Sequence, residues 1–341
     1  MDNAMNHKVI RIAAALLLSL GALCSCDRTI YDAPGNCNIA LRFRYDYNMK
    51  YADAFPAEVS AVDVFLFDRS GRFVSRVSDS GANLSGEGYT MSLPGVTPGT
   101  YDVVVWGGLK NGGAYSVANP ATKQDLLCSL QTRTKADVYT DSELEDIYYG
   151  HAENVELRSL PEGSVNVVRL DLMKNTNRIH VVLQALNDLQ PLEADKYDFV
   201  ISDEGTAMNW ANERDNLIPV DYFPFEKHQG TVDYDDYSQM TAAVADFTTG
   251  RLFPSDGTGK TMLNVVDLET GKTVISVPLV DYFLLVKGRY EKQMTDQEYL
   301  DRQDDYSITF FLDNRHGWNI AAGIYINGWR IVLQNSDLDN Q

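Results

Sequence analysis

The chain has 341 residues, of which 48 are Asp or Glu and 29 are Lys or Arg, so its formal net charge is −19 at pH 7. Such an acidic chain disfavours the functions that need a basic surface, namely nucleic-acid binding and attachment to anionic lipid headgroups by charge alone. Its length exceeds that of one average domain and predicts two.

The first 25 residues have the features of an export signal. Lys8 and Arg11 supply the positive end, and residues 12–23 form an apolar core. This core is too short for a transmembrane helix, which takes about 20 residues. We therefore expect residues 1–25 to be a lipoprotein signal peptide, which leaves a mature chain that is still more acidic.

Cys26 is the expected site of acylation. Ser25 precedes it directly and Leu23 lies three positions before it, which is the spacing of a lipoprotein cleavage site. Cleavage before Cys24 would instead place the bulky Leu23 at the cut. Several acyl chains on one cysteine hold a protein firmly to a membrane, and residues 26–36 then form a lipidated tether. The alternative is an ordinary signal peptide followed by a cysteine without lipid.

Two further cysteines, Cys37 and Cys128, remain in the mature chain. In an oxidising compartment they can form a disulfide. Two lone cysteines can equally stay buried and reduced, so the sequence leaves both alternatives open.

Short apolar segments bounded by turn residues predict many β-strands. In chain order they are 38–45, 62–67, 72–75, 102–106, 165–173, 178–183, 197–201, 262–266, 273–277 and 306–311. Residues 68–71 and 267–272 predict the turns of two hairpins, because each contains a glycine for the positive φ of a tight turn.

The strongest hairpin signal lies near the C-terminus. Asn327 and Gly328, the preferred pair for a type I′ turn, separate the apolar segments 324–326 and 329–333.

Helices are few in the predicted structure. Thr295 and Glu298 fit a capping box at the start of a short helix, and residues 141–148 predict a second one. Many short strands and little helix predict an all-β chain of β-sandwiches. Two halves of similar character predict two sandwiches in series, an N-terminal one over 37–175 and a C-terminal one over 176–341.

No pattern of residues predicts catalysis. The motifs of common nucleophile, phosphate and dinucleotide sites do not occur, and the histidines are not at metal-ligand spacing. We expect His180, in a strand pattern, to be structural. We expect no enzyme activity, no cofactor and no metal. Aromatic residues make up 11% of the chain, and we assign them to strand cores rather than to a sugar-binding platform.

An ordered set of segments in the mature chain resembles the Mfa2/FimB family of fimbrillin-associated anchor lipoproteins of Bacteroides-type bacteria. The first segment is Phe-Arg-Tyr-Asp-Tyr-Asn-Met at 43–49, with Asp53 and Phe55 following. The others are 64–68, 98–101, 106–109, 174–179, 250–252, 299–301 and 324–329. No single segment is specific, but their order is kept through the whole mature chain.

The resemblance implies two transthyretin-like domains, each a Greek-key β-sandwich. It further implies a lipoprotein of the outer membrane, exposed at the cell surface, that anchors a fimbria and influences its length. The implied partners are fimbrillin, which is the major stalk subunit, and other minor fimbrial subunits, joined by β-strand exchange. Such an exchange gives an exposed sheet edge the main-chain hydrogen bonds that it lacks.

The candidate donor strand is the C-terminal segment, in which Trp329, Ile331 and Leu333 share one face. The alternative is that this segment only closes its own hairpin with residues 323–326. Two other functions also stay open, a surface glycan-binding lipoprotein and a tip or adhesin subunit of the same fimbria.

Overall fold

Most of the regular structure is β-strand, as the sequence predicts. The computed structural model describes residues 39–86, 88–158, 165–186, 192–235, 238–255, 260–290, 293–313 and 317–333. The strands of the first half are β1 (Ile39–Arg44), β2 (Ala61–Asp68), β3 (Phe73–Ser80), β4 (Met91–Ser92), β5 (Gly99–Gly107), β6 (Tyr115–Val117), β7 (Leu127–Leu130), β8 (Arg133–Thr134), β9 (Val138–Thr140), β10 (Tyr148–Leu157), β11 (Asn166–Asp171) and β12 (Met173–Lys174).

The second half continues with longer strands. They are β13 (Thr176–Ala185), β14 (Tyr197–Glu204), β15 (Ala207–Asn209), β16 (Pro219–Tyr222), β17 (Glu226–Asp235), β18 (Ser238–Gly250), β19 (Met262–Asp267), β20 (Lys272–Pro278), β21 (Asp305–Leu312), β22 (Ile324–Ile326) and β23 (Trp329–Ile331). The described α-helices are α1 (Phe55–Glu58), α2 (Leu279–Leu284), α3 (Lys287–Tyr290) and α4 (Asp296–Arg302), and short 3-10 turns lie at Ala82–Ser85, Lys123–Asp125, Ala194–Lys196 and Ile320–Ala322.

The first sandwich packs a three-stranded sheet, in the order β11-β1-β4, on a five-stranded sheet, in the order β12-β10-β5-β2-β3. Leu41 and Phe43 of β1 share one buried apolar cluster with Val64 of β2 and Val105 of β5. The alternation of β1 therefore points its apolar residues at the facing sheet.

Strand β2 is buried on both faces. Val64 and Leu66 belong to the core of the first sandwich, whereas Phe65 and Phe67 belong to a second cluster that extends through the C-terminal half. This explains why the sequence of β2 is almost continuously apolar instead of alternating. Its exception, Asp63, is buried and accepts a hydrogen bond of 2.8 Å from Arg76 Nε.

The second sandwich pairs two six-stranded sheets. One has the order β17-β18-β13-β21-β22-β23 and the other the order β20-β19-β14-β16-β9-β8. Val181 and Ile308 of the first sheet share the large apolar cluster with Phe199 and Val265 of the second. The prediction of an all-β fold built from sandwiches, with few short helices, is confirmed.

Strands of the two halves also pair with each other. Parallel β9 and β16 meet with Tyr139 opposite Asp221, and antiparallel β7 and β15 meet with Cys128 opposite Met208. The halves are therefore joined by backbone ladders as well as by a shared core. The boundary between residues 175 and 176 stays a prediction.

The predicted helix at Thr295 is confirmed as α4. The Thr295 hydroxyl accepts the backbone N–H of Glu298 at 3.1 Å. In a complete capping box, the Glu298 carboxylate would also accept the backbone N–H of Thr295. Here it accepts from Arg302 Nε, one turn later, instead.

The predicted helix over 141–148 is wrong. Residues 141–147 are irregular, and Tyr148 begins β10. Leu144 and Ile147 are buried in this segment, and the N–H of Leu144 donates to Thr248 Oγ1 at 2.8 Å. Contacts with the second sandwich thus satisfy a backbone group that a helix would otherwise have used.

Candidate functional site

The C-terminal hairpin forms as the sequence predicts. Asn327 has φ 49° and Gly328 has φ 78°, so both central residues adopt the left-handed conformation of a type I′ turn. Strand β23 pairs antiparallel with β22, with Trp329 opposite Ile326 and Ile331 opposite Ile324.

The turn is fixed to the adjoining strand β21. Asn327 N–H donates to the carbonyl of Ser307 at 2.9 Å, and Ser307 N–H donates to Asn327 Oδ1 at 2.9 Å. These two bonds hold the hairpin in register with the rest of its sheet.

The candidate donor residues differ in how far the structure buries them. Trp329 is 44% exposed, and the Arg289 guanidinium lies 5.4 Å from the centre of its ring. Ile331 and Leu333 are partly buried against the apolar core. Residues 329–331 close their own hairpin with residues 324–326, as expected if the segment is not donated. A donor role stays a prediction.

Strand β23 ends its sheet. Within the part of the chain that the structure describes, no strand pairs with its outer edge. An edge strand presents backbone N–H and C=O groups that can pair with another extended chain. Arg330 donates from Nη2 to the carbonyl of Ala322 at 3.1 Å.

The segment that carries the start of the family resemblance joins the two halves. Met49 N–H donates to the carbonyl of Arg302 at 3.1 Å, and the Arg302 guanidinium stacks on Tyr47 at 4.0 Å and on Tyr51 at 4.7 Å from the ring centres. Asp53 Oδ1 accepts the N–H of Tyr45 at 2.9 Å. The tyrosines and the aspartate of this segment thus have structural roles.

The second glycine of the segment 106–109 also has a structural role. Gly108 has φ +79°, and a Cβ built there would lie 1.9 Å from the carbonyl oxygen of Asp146. Only glycine fits at this close approach of two backbones.

Among the described residues, the histidines belong to no group of three or more side chains that could hold a metal ion. His180 Nδ1 lies 2.5 Å from Asp246 Oδ1, and His228 Nδ1 lies 3.3 Å from Asp246 Oδ2. The sequence predicts a structural role for His180 but not this pairing, because β17, β18 and β13 are brought together only by the sheet.

Of the cysteines for which the sequence makes a prediction, the structure describes Cys128. Cys26 and Cys37 lie outside the described residues, so acylation and the pairing of Cys37 stay predictions. Cys128 is buried in β7, and this burial raises the pKa of its thiol. Within the described ranges, no helix combines the length and the apolar character that a membrane span requires.

Comparison with known proteins assigns the family. The model of a family described as fimbrillin-A associated anchor proteins Mfa1 and Mfa2 matches residues 32–335. The chain belongs to this family. The resemblance found in the sequence is thereby confirmed.

Individual relatives agree with the family assignment. The minor fimbrium anchoring subunit Mfa2 of Porphyromonas gingivalis is 23% identical over 341 residues, covering 95% of each chain. A solved structure of an adhesin candidate from Bacteroides thetaiotaomicron superposes with a TM-score of 0.80 at 29% identity, covering 89% of this chain and 99% of that one. The fimbrial anchor protein Mfa2 of P. gingivalis superposes with a TM-score of 0.62 at 19% identity, covering 87% and 99%, which supports the fold alone.

Proposed function

We propose that this protein is a lipid-held anchor of a fimbria. Acyl chains on Cys26 fix it in the outer membrane, exposed at the cell surface, and its folded part holds fimbrillin and minor subunits at the fimbrial base. It thereby limits the length to which the fimbria grows. The observation that carries the proposal is the match to the anchor family over residues 32–335, which begins shortly after the predicted acylation site.

Strand β23 is the proposed point of contact with the first fimbrillin. It is three residues long and, among the described strands, pairs only with β22, so few hydrogen bonds hold it in place. Releasing it and forming the same ladder with a neighbouring subunit would conserve those bonds. Trp329, Ile331 and Leu333 would then fill pockets of the subunit that receives the strand.

A pair of truncations tests this contact. Ending the chain after Gly328 removes β23, and we expect the first stalk subunit to be lost from the anchor while the N-terminal sandwich stays folded. Ending it after Leu333 removes only the polar tail and serves as the matched control, with incorporation unchanged. Normal fimbriae on the protein that ends at Gly328 would rule out the donor role.

A further inference from the structure

The first residues of the fold lie beside two exposed valines. Strand β1 begins at Ile39 and runs parallel to β11, with Ile39 opposite Asn166 and Ala40 opposite Val167. The side chains of Val165 and Val167 are 51% and 49% exposed. Apolar surface therefore lies directly beside the point where the tether joins the fold.

Two arginines extend this apolar surface on the same face. Leu41 and Leu170 point into the core of the first sandwich, so strand alternation places Val167, Arg42 and Arg169 on the opposite, outer face. Arg42 lies opposite Arg169 in the ladder, and both are exposed.

We call Val165, Val167, Arg42 and Arg169 the tether-side patch. Arg169 pairs with Asp171 at 2.8 Å. Asp171 lies two residues after Arg169 in β11 and therefore on the same outer face, so Arg42 supplies the remaining positive charge. The patch therefore offers a cationic group and two apolar side chains on a chain whose overall charge is −19.

We propose that the tether-side patch rests on the anionic surface of the membrane that holds the lipid. This inference rests on the proposed acylation of Cys26. Residues 27–38, fully extended, span about 40 Å at most, so the patch stays within reach of the headgroups. Most of the acidic surface is repelled by anionic lipid, whereas arginine is attracted to it.

Tethering makes such a weak contact effective. A patch of four residues binds free vesicles poorly, but a short tether replaces free diffusion by a high effective concentration at the membrane. The contact would orient the anchor with β1 and β11 towards the membrane. The six-stranded sheet that ends at β23 carries no residue of this patch, so its edge stays available to a fimbrial subunit.

Amide hydrogen exchange on tethered protein tests the contact. Residues 27–341 with an N-terminal histidine tag in place of acylated Cys26 are held on vesicles that contain nickel-chelating lipid, phosphatidylcholine and about one-fifth phosphatidylglycerol. We expect several-fold slower exchange over 165–171 than in the free protein, and no change in β23.

Two matched variants decide whether the patch is responsible. Val165→Ser combined with Val167→Ser and Arg42→Ser should abolish the slowing. Leu217→Ser combined with Ile218→Ser, at another exposed apolar pair with 60% and 45% exposure, should leave it unchanged. The free variants are compared first for equal exchange in their cores, which shows that they are folded.

Three results would overturn the proposal. The first is equal exchange over 165–171 in the free and the tethered protein. The second is an equal loss of slowing in both variants. The third is slow exchange over 165–171 in the free protein that disappears when residues 27–38 are removed. The last result would show that the tether itself covers the patch. Because the tag replaces the lipid, none of these outcomes depends on whether cells acylate Cys26.

Discussion

Arg251 and Asp301 form a two-pronged ion pair between the end of β18 and helix α4. Arg251 Nε donates to Asp301 Oδ1 at 2.7 Å and Nη2 donates to Oδ2 at 2.8 Å. Arg251 Nη1 also donates to the carbonyl of Asn212 at 2.5 Å, and Gln297 Nε2 donates to Asp301 Oδ1 at 2.8 Å. The guanidinium thus ties three separate segments together, and its loss leaves a buried carboxylate without its charge partner.

We expect Arg251→Ala to lower the free energy of unfolding by about 3–5 kcal/mol, which is typical when one partner of a buried ion pair is removed. The exposed pair of Arg133 and Asp141 gives the matched control, and Arg133→Ala should cost less than about 1 kcal/mol. Chemical denaturation of the two variants measures both values. Equal, small effects would show that the Arg251 pair contributes no more than a surface pair.

Replacing glycine by alanine should change the stability in opposite directions at Gly328 and Gly288, because the two glycines differ in backbone conformation. Gly328 has φ +78°, so Gly328→Ala should destabilise the protein by about 1–2 kcal/mol through left-handed strain. Gly288 lies in α3 with open space around its Cβ position, and Gly288→Ala should stabilise by about 0.5–1 kcal/mol. Thermal unfolding of both variants tests this difference in sign. A Gly328→Ala protein as stable as the parent would contradict the type I′ turn.

The burial of Cys128 predicts a thiol that does not react in the folded protein. Its pKa is raised by burial, and its side chain is almost inaccessible, so little thiolate is available to a maleimide. In the presence of reductant, Cys128 should label only after denaturation. Labelling of native protein at the denatured rate would contradict its placement in β7.

The same reagent resolves the alternatives for Cys37. If Cys37 and Cys128 form a disulfide in exported protein, neither is labelled after denaturation without reductant. If they remain reduced, both are labelled under those conditions. Peptide mass spectrometry assigns the label to each position.

Buried tyrosines predict a loss of stability at alkaline pH. Burial raises the pKa of Tyr197 from 10.0 to about 12, and it raises the pKa values of Tyr115 and Tyr306 well above 10.0. The unfolded chain therefore loses these protons at a lower pH than the folded chain does. The stabilisation is complete below pH 10 and declines as the pH rises towards 12 and beyond.

Tyrosinate absorbance and tryptophan fluorescence, recorded together over this range, measure the effect. We expect part of the tyrosine titration to coincide with unfolding. A smooth titration of all tyrosines near pH 10 with native fluorescence would show that these hydroxyls are accessible.

Local patterns made much of the fold predictable. The apolar segment of β2, the Asn327-Gly328 turn and the Thr295 cap each depend on a few neighbouring residues, and each appears in the structure. The helix predicted over 141–148 fails because Thr248, more than a hundred positions away, satisfies the backbone of Leu144. Local propensity carries no information about such a partner.

The candidate sites also differ in whether they depend on neighbouring residues or on distant ones. The hairpin of Trp329 could be read from its turn, but the parallel neighbour of β1 could not, because β11 lies more than a hundred residues along the chain. The exposed valines beside Ile39 therefore emerge only from the sheet register. The pairing of Asp246 with two histidines depends on register in the same way.

The substitution Cys26→Ala, in cells that make the fimbria, tests whether lipid on Cys26 holds the fimbria to the cell. The measurement is a count of fimbriae on the cells together with the amount of fimbrial polymer in the medium. Cys24→Ala is the matched control, since Cys24 lies within the predicted signal peptide. We expect shed or loosely held fimbriae for Cys26→Ala only, whereas firmly attached fimbriae in normal number on both variants would contradict a lipid-held anchor.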